Sequence, residues 1–292
     1  MQNGSKRVLL YGAASFVLSG IGIVWARHEA EADIDTLLSG AEVQLKMAYV
    51  MPATDKQGKP IDARETLIAE AEANLAKVER QQPGMAVTIE FQGFARMLRG
   101  KYAEAADSYH RAQSCSDCQA EQRDVLAFNE ARMLARAGFR ERALEVFRAH
   151  QKALDQRFAH QRSIEEAAIL RELGRRVESE QLLDAMLRGA SDEPAAWLQA
   201  GLEYEQLGNV DKAARALEKA AAEVPIADYH RARLKLRQGE FDRCIELLER
   251  AAKALPAEVR QRVREEAGAW SAIAKDWRFQ RLSAPPAATP GR

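Results

Sequence analysis

Two cysteines three residues apart, in Cys115-Ser116-Asp117-Cys118, are the only thiols in the chain at a chemically suggestive spacing. A structural zinc site takes four ligands. His110, five residues upstream, would be a third, but neither Cys244 nor the scattered histidines supplies an obvious second pair. Covalent haem attachment needs a histidine directly after the second cysteine, where Gln119 stands, and a thioredoxin-type dithiol needs a βαβ context that is absent. Three readings stay open: ordinary loop cysteines, a tight local disulfide formed in an oxidising compartment, or a metal or redox role. His28, His110, His150, His160 and His230 show no metalloprotease, nucleophilic-triad or facial-triad spacing, and there is no phosphate-binding glycine loop or nucleophile elbow. No catalytic, metal or cofactor set is expected, so the chain is read as a binding protein rather than an enzyme.

Recognition chemistry is better represented. Arg132 with Arg136, and Arg233 with Arg237, are four residues apart and so share a helix face, where guanidinium groups can grip carboxylates bidentately. With 43 basic and 43 acidic residues the formal net charge is zero, which gives no general attraction to nucleic acid.

The elements that must position these arginines are helical hairpins. Around Gly208 stand Trp197, Gly201 and Tyr204 on one side, and Ala213, Leu217, Ala220 and Pro225 on the other. Small residues fit where helices approach or the chain turns, bulky ones fill the space between hairpins, and the proline ends the second helix. Gly100, Gly138, Gly174 and Gly239 take the place of Gly208 in turn. Seven residues before them stand Gly93, Ala131, Ala167 and Ala232; nine after stand Tyr109, Phe147, Leu183 and Leu248. Five residues after them the small Ala105, Ala143, Ser179 and Cys244 recur, which gives Cys244 a packing role. At the twelfth position His150 and Met186 depart toward larger residues. Val87 to Phe91 alternates like a strand, but the frame places it in a first helix.

This register resembles the tetratricopeptide repeat. The resemblance implies an all-α, right-handed α-solenoid with about five repeats over residues 86–257, intervals between turn glycines of 38, 36, 34 and 31 residues, and imperfect terminal repeats. It also implies binding of protein or peptide partners. In that family the first helices line a concave groove. The resemblance therefore nominates Phe94, Met97, Phe128, Arg132, Arg136, Ile164, Arg171, Leu198, Leu202, Tyr229, Arg233 and Arg237 as groove residues. Such a groove suits an apolar or aromatic segment that carries carboxylates. The alternative is that the arginines pair within the groove, with Glu90, Glu172 and Glu205.

Residues 8–26 form an uncharged run of 19, about 28 Å as a helix and close to bilayer thickness, with Tyr11 and Trp25 near its ends. Lys6 and Arg7 precede it, while acidic residues outnumber Arg27 after it. The expectation is an inner-membrane anchor with residues 1–7 in the cytoplasm and the repeats periplasmic; a cleaved signal with a secreted envelope component, or a eukaryotic organelle-surface receptor, are the alternatives. Residues 27–85 read as a helical stalk followed by a degenerate half-repeat, whose helix opens at an Asp62–Glu65 capping box. Residues 258–282 read as one capping helix with the stripe Val259, Val263, Ala267, Trp270, Ile273 and Trp277, and residues 283–292 as a disordered tail. By layout the chain resembles anchored repeat proteins of envelope protein biogenesis.

Overall fold

The computed structural model describes residues 33–55, 58–189 and 193–284. The membrane-anchor expectation for residues 8–26, the N-terminus before it and the tail from residue 285 lie outside the described residues. No described helix is long and apolar enough to cross a membrane.

The described residues are α-helical, with no strand among them beyond one isolated bridge between Thr54 and Pro60. Helices α1 (Ile34–Val50) and α2 (Asp62–Gln81) form the first hairpin. Five more follow: α3 (Ala86–Leu98) with α4 (Tyr102–Gln113), α5 (Ala120–Arg136) with α6 (Arg140–Ala149), then, after a short α7 (Gln151–Arg157), α8 (Ala159–Glu172) with α9 (Arg176–Gly189), α10 (Pro194–Leu207) with α11 (Val210–Ala220), and α12 (Ile226–Arg237) with α13 (Phe241–Ala254). The architecture is a stack of tetratricopeptide-like hairpins.

One closure recurs at the turns of the last five. Gly100, Gly138, Gly174, Gly208 and Gly239 all have φ between 73° and 89°, where a Cβ would be strained. The residue after each glycine donates its N–H to a carbonyl five residues back. Examples are Phe139 to Leu134 at 2.9 Å and Asn209 to Tyr204 at 2.9 Å. This is a Schellman closure, which satisfies carbonyls that the helix end would leave bare. Among the described glycines the least room for a side chain is at Gly201, where a Cβ would lie 2.7 Å from Leu217 Cγ.

The apolar interior falls into four clusters along the chain. The first joins α1, α2 and α3 through Ala41, Leu45, Ile68, Leu75 and Ala95. The second runs from Ala86 through Tyr109, Phe128 and Phe147 to Leu170. The third contains Ala167, Leu183, Tyr204 and Leu217, and the fourth Tyr229, Leu248, Trp270 and Phe279.

Four local expectations are corrected. Helix α1 is not a free stalk, because Leu37, Ala41, Leu45 and Ala48 are buried against its neighbours. The capping box does not form: Ile61 is the N-cap of α2 and makes no side-chain cap bond, so Asp62 is already inside the helix. His150 is not a late residue of a long second helix, since α6 ends at Ala149 and the chain bends into α7. Finally, the capping helix is three pieces: α14 (Pro256–Glu265), a 3-10 segment (Ala267–Ile273) and α15 (Trp277–Ser283). Gly268 is a poor interior helix residue, and Asp276 starts the last piece by accepting the Arg278 N–H at 2.8 Å.

One buried cation ties the first two hairpins together. Arg64 is 8% exposed and donates to the carbonyls of Ala48 at 3.1 Å and Leu98 at 2.8 Å, the ends of α1 and α3.

Candidate protein-binding face

The first helices α3, α5, α8, α10 and α12 lie side by side, and polar pairs cross from each to the next. Gln122 donates to Glu90 at 2.8 Å, between α5 and α3. Arg132 pairs with Glu165 at 2.7 Å, and Arg171 with Glu203 at 3.1 Å. Glu205, with a side chain 5% exposed, takes Arg237 and lies 3.8 Å from Arg233, which also meets Glu266 at 3.4 Å.

Of the nominated arginines, Arg132, Arg171, Arg233 and Arg237 are therefore already matched by carboxylates of the array. Arg136 is different: it is exposed, and its guanidinium lies 5.8 Å from the Tyr102 ring centroid. The expected internal partners are right in one case. Glu205 pairs as expected, Glu172 instead binds Arg140 at 2.6 Å, and Glu90 accepts from Gln122 rather than from an arginine among the described residues. Burial, opposed by the Gln122 bond and reinforced by Glu42, raises the Glu90 pKa.

The apolar nominees divide as well. Phe94 and Met97 are half-buried at the junction with the first hairpin, with Tyr49 5.9 Å from Phe94. Ile164, Leu198 and Leu202 are also half-buried, resting on the third cluster with part of each side chain open. Phe128 and Tyr229 belong to the interior instead. Phe128 is stacked on Phe158 at 4.9 Å, and Tyr229 is fully buried and edge-on to Trp270 at 5.6 Å. Phe158 enters through the α7 insertion, so no position of the repeat register signalled it. Trp197, placed between hairpins on sequence grounds, is half-buried with Lys219 Nζ 4.0 Å from its ring centroid.

Cys115, Cys118 and Cys244 are free thiols. Burial pushes the Cys244 thiol up to about 12, in keeping with its packing position. Among the described residues no cluster of three or more His, Cys, Asp or Glu could hold a metal.

A buried imidazole beside this face sets a pH response. His230 is 9% exposed, and burial, then Arg233 and Arg262, lower its pKa to about 4. An unfolded histidine titrates near 6.5, so the unfolded chain takes up this proton first. Stability should be intact above about pH 6.5 and fall by on the order of 3 kcal/mol as pH drops towards 4. Urea unfolding at pH 7 and pH 4.5 should show a smaller loss for His230→Gln than for wild type. Equal losses would assign the acid response to carboxylates such as Asp184, whose pKa is held low by Lys212 and Tyr204 despite opposing burial.

The fold and this face define a tetratricopeptide-like helical scaffold. No family model matches the chain, and no curated protein matches it in sequence. Solved structures resemble it in fold. The pilF protein of Pseudomonas aeruginosa is 12% identical over 79% of this chain and 99% of its own, with a TM-score of 0.49. A tetratricopeptide repeat protein from Parabacteroides merdae is 17% identical over 84% and 98%, also at 0.49. NprR, solved with its cognate peptide NprX, is 14% identical over 88% and 78%, at 0.46. These values describe a likeness of fold class.

Proposed function

We propose that the chain is a protein-binding scaffold, held at the inner membrane by residues 8–26 with its repeats on the periplasmic side and acting in envelope protein assembly. The observation that carries the binding reading is the row of first helices. It leaves Phe94, Met97, Ile164, Leu198 and Leu202 partly open while neutralising most of its own charge across repeats. A face paired this way favours an extended, largely apolar segment over a strongly acidic one, because an acidic partner must first displace Glu165, Glu203 or Glu205. Arg136 is the exception and gives one place for a partner carboxylate.

Crosslinking capture from intact membranes tests this face. Leu202→Glu should lose the captured partner, and Arg136→Gln should weaken capture mainly at low salt, since exposed charge contacts contribute about 0–1 kcal/mol and are screened. Capture equal to wild type for both variants would place the binding surface elsewhere. Orientation rests on Lys6 and Arg7 ahead of the uncharged run. A disulfide-dependent reporter fused after Leu282 should be active, and an inactive fusion of normal abundance would reverse the topology.

A further inference from the structure

We propose that Cys115 and Cys118 form a thiol–disulfide exchange site, which closes into an intramolecular disulfide on reaction with a low-molecular-mass disulfide and thereby fixes the turn that holds the start of α3. The inference is independent of what the first-helix face binds.

The turn already has the required shape. Cys118 N–H donates to the Cys115 carbonyl at 3.1 Å, so the four residues close a β-turn. A β-turn brings its end Cα atoms within about 7 Å, and a disulfide spans about 4.4–6.8 Å. Both cysteines belong to the same apolar cluster, Cys118 buried at 6% exposure and Cys115 half-buried against it. Burial raises the Cys118 pKa, opposed by Arg123 and reinforced by the nearby Cys115. Neither thiol is committed to a strong partner. Cys115 Sγ meets the Arg111 carbonyl at 3.5 Å and Cys118 Sγ the Gln119 carbonyl at 3.7 Å, weak contacts that a rotation about χ1 gives up at little cost.

The same turn is anchored on both sides. The Asp117 carboxylate accepts the Ala86 N–H at 3.1 and 3.2 Å, so it caps the first residue of α3 from the loop that joins α4 to α5. The Arg123 guanidinium donates to the carbonyls of Gln113 and Cys118, both at 3.1 Å. Closing the disulfide would hold Asp117 at Ala86, and with it the helix that carries Phe94 and Met97. Burial keeps both thiols protonated at neutral pH, so exchange is slow and begins at the more open Cys115.

The chemistry balances without any further reagent. Cys115 loses its proton to solvent, and its thiolate attacks one sulfur of the small disulfide. That S–S bond breaks, and one half leaves as a thiolate that takes up a proton. The Cys118 thiolate then attacks Cys115 Sγ, releasing the second half as a thiol. Two protein thiols are oxidised and one small disulfide is reduced to two thiols.

The test is a redox titration of the full chain in detergent with graded ratios of oxidised to reduced glutathione, followed by acid quench, alkylation with N-ethylmaleimide and mass spectrometry. Cys115 and Cys118 should lose alkylation together, with a mass lower by two hydrogens and no glutathione retained, while buried Cys244 is unchanged. Cys118→Ser should instead keep glutathione on Cys115. The oxidised wild type should melt about 2–5 °C higher than the reduced form. The proposal is overturned if both cysteines stay alkylatable at the most oxidising ratio, if wild type accumulates the glutathione adduct as Cys118→Ser does, or if oxidation leaves melting unchanged.

Discussion

Trp270→Ala should lower the stability of the repeat array by about 3–5 kcal/mol, the range for truncating a fully buried aromatic. Trp270 has no exposed surface, and it packs edge-on against Tyr229 at 5.6 Å and against Phe279 at 6.1 Å. Val259, Val263 and Ile273 belong to the same buried cluster, so the 3-10 segment, α14 and α15 share one apolar interior with this side chain. Removing the indole leaves a cavity among elements too short to refill it, and α15 loses the surface that Phe279 covers. Trp277→Ala is the matched control. Trp277 is 65% exposed with a cation–π contact to Arg281 at 5.4 Å, so its loss should cost within about 1 kcal/mol. Differential scanning calorimetry of the two variants decides the matter. If Trp270→Ala melts like Trp277→Ala, residues 256–283 do not serve as the cap of the last hairpin.

Leu217→Ala should cost about 3–5 kcal/mol, the upper part of the range for a buried leucine. Leu217 is completely buried, and its Cγ and Cδ2 occupy the space that a Cβ on Gly201 would need, at 2.7 and 2.8 Å. The glycine and the leucine are thus one packing device: the missing side chain on α10 is the socket for the large one on α11. Gly201→Ala alone should also destabilise, because Leu217 N lies 3.2 Å from the added Cβ and backbone cannot turn aside. The double variant Gly201→Ala/Leu217→Ala should recover part of the loss, since the new methyl enters the space the leucine leaves. Thermal unfolding of the three variants checks this. Strict additivity would mean that the two residues do not meet.

The repeat frame was legible because its cause is local. A residue at φ near +80° is nearly always glycine, so the turns announce themselves, and the small and large positions at fixed distances from them follow from one hairpin geometry. The irregular parts left weaker traces. The α7 insertion shows only as a long interval between Gly138 and Gly174 and a misplaced His150, and nothing in Phe158 marks it as the partner of Phe128. The last segment reads as one apolar stripe because its period is helical, yet the change from α-helix to 3-10 helix at Glu266 and the cap at Asp276 decide its shape.

The candidate face was legible in its membership and not in its pairing. Same-face arginines were visible, but which acid each one meets depends on the neighbouring repeat. The structure reveals the rule in hindsight: Gln122 with Glu90, Arg140 with Glu172, Arg171 with Glu203, Lys212 with Glu180 and Arg237 with Glu205 are all 32 residues apart. A search for opposite charges at that separation, slightly under one repeat, would have found Glu203 as the partner of Arg171. It would also have found Glu205 for Arg237, but it misses Arg132 and Arg233, whose partners Glu165 and Glu266 lie 33 residues on.

The interior made of four separate clusters has a consequence for how the molecule comes apart. Adjacent clusters share a helix but no buried core residue, and only partly buried side chains such as Leu182 and Met97 bridge them: α8 gives Ile169 and Leu170 to one and Ala167 to the next, and α12 gives Ala227 and Leu234 to one and Tyr229 and Ala232 to the other. Such a chain need not melt as a single body. Its ends can fray while the middle holds, with α8 and α12 as the seams at which fraying stops. Amide protons on the two sides of a seam should then exchange with different opening energies, and a partner spanning several first helices would bind by zipping those seams shut.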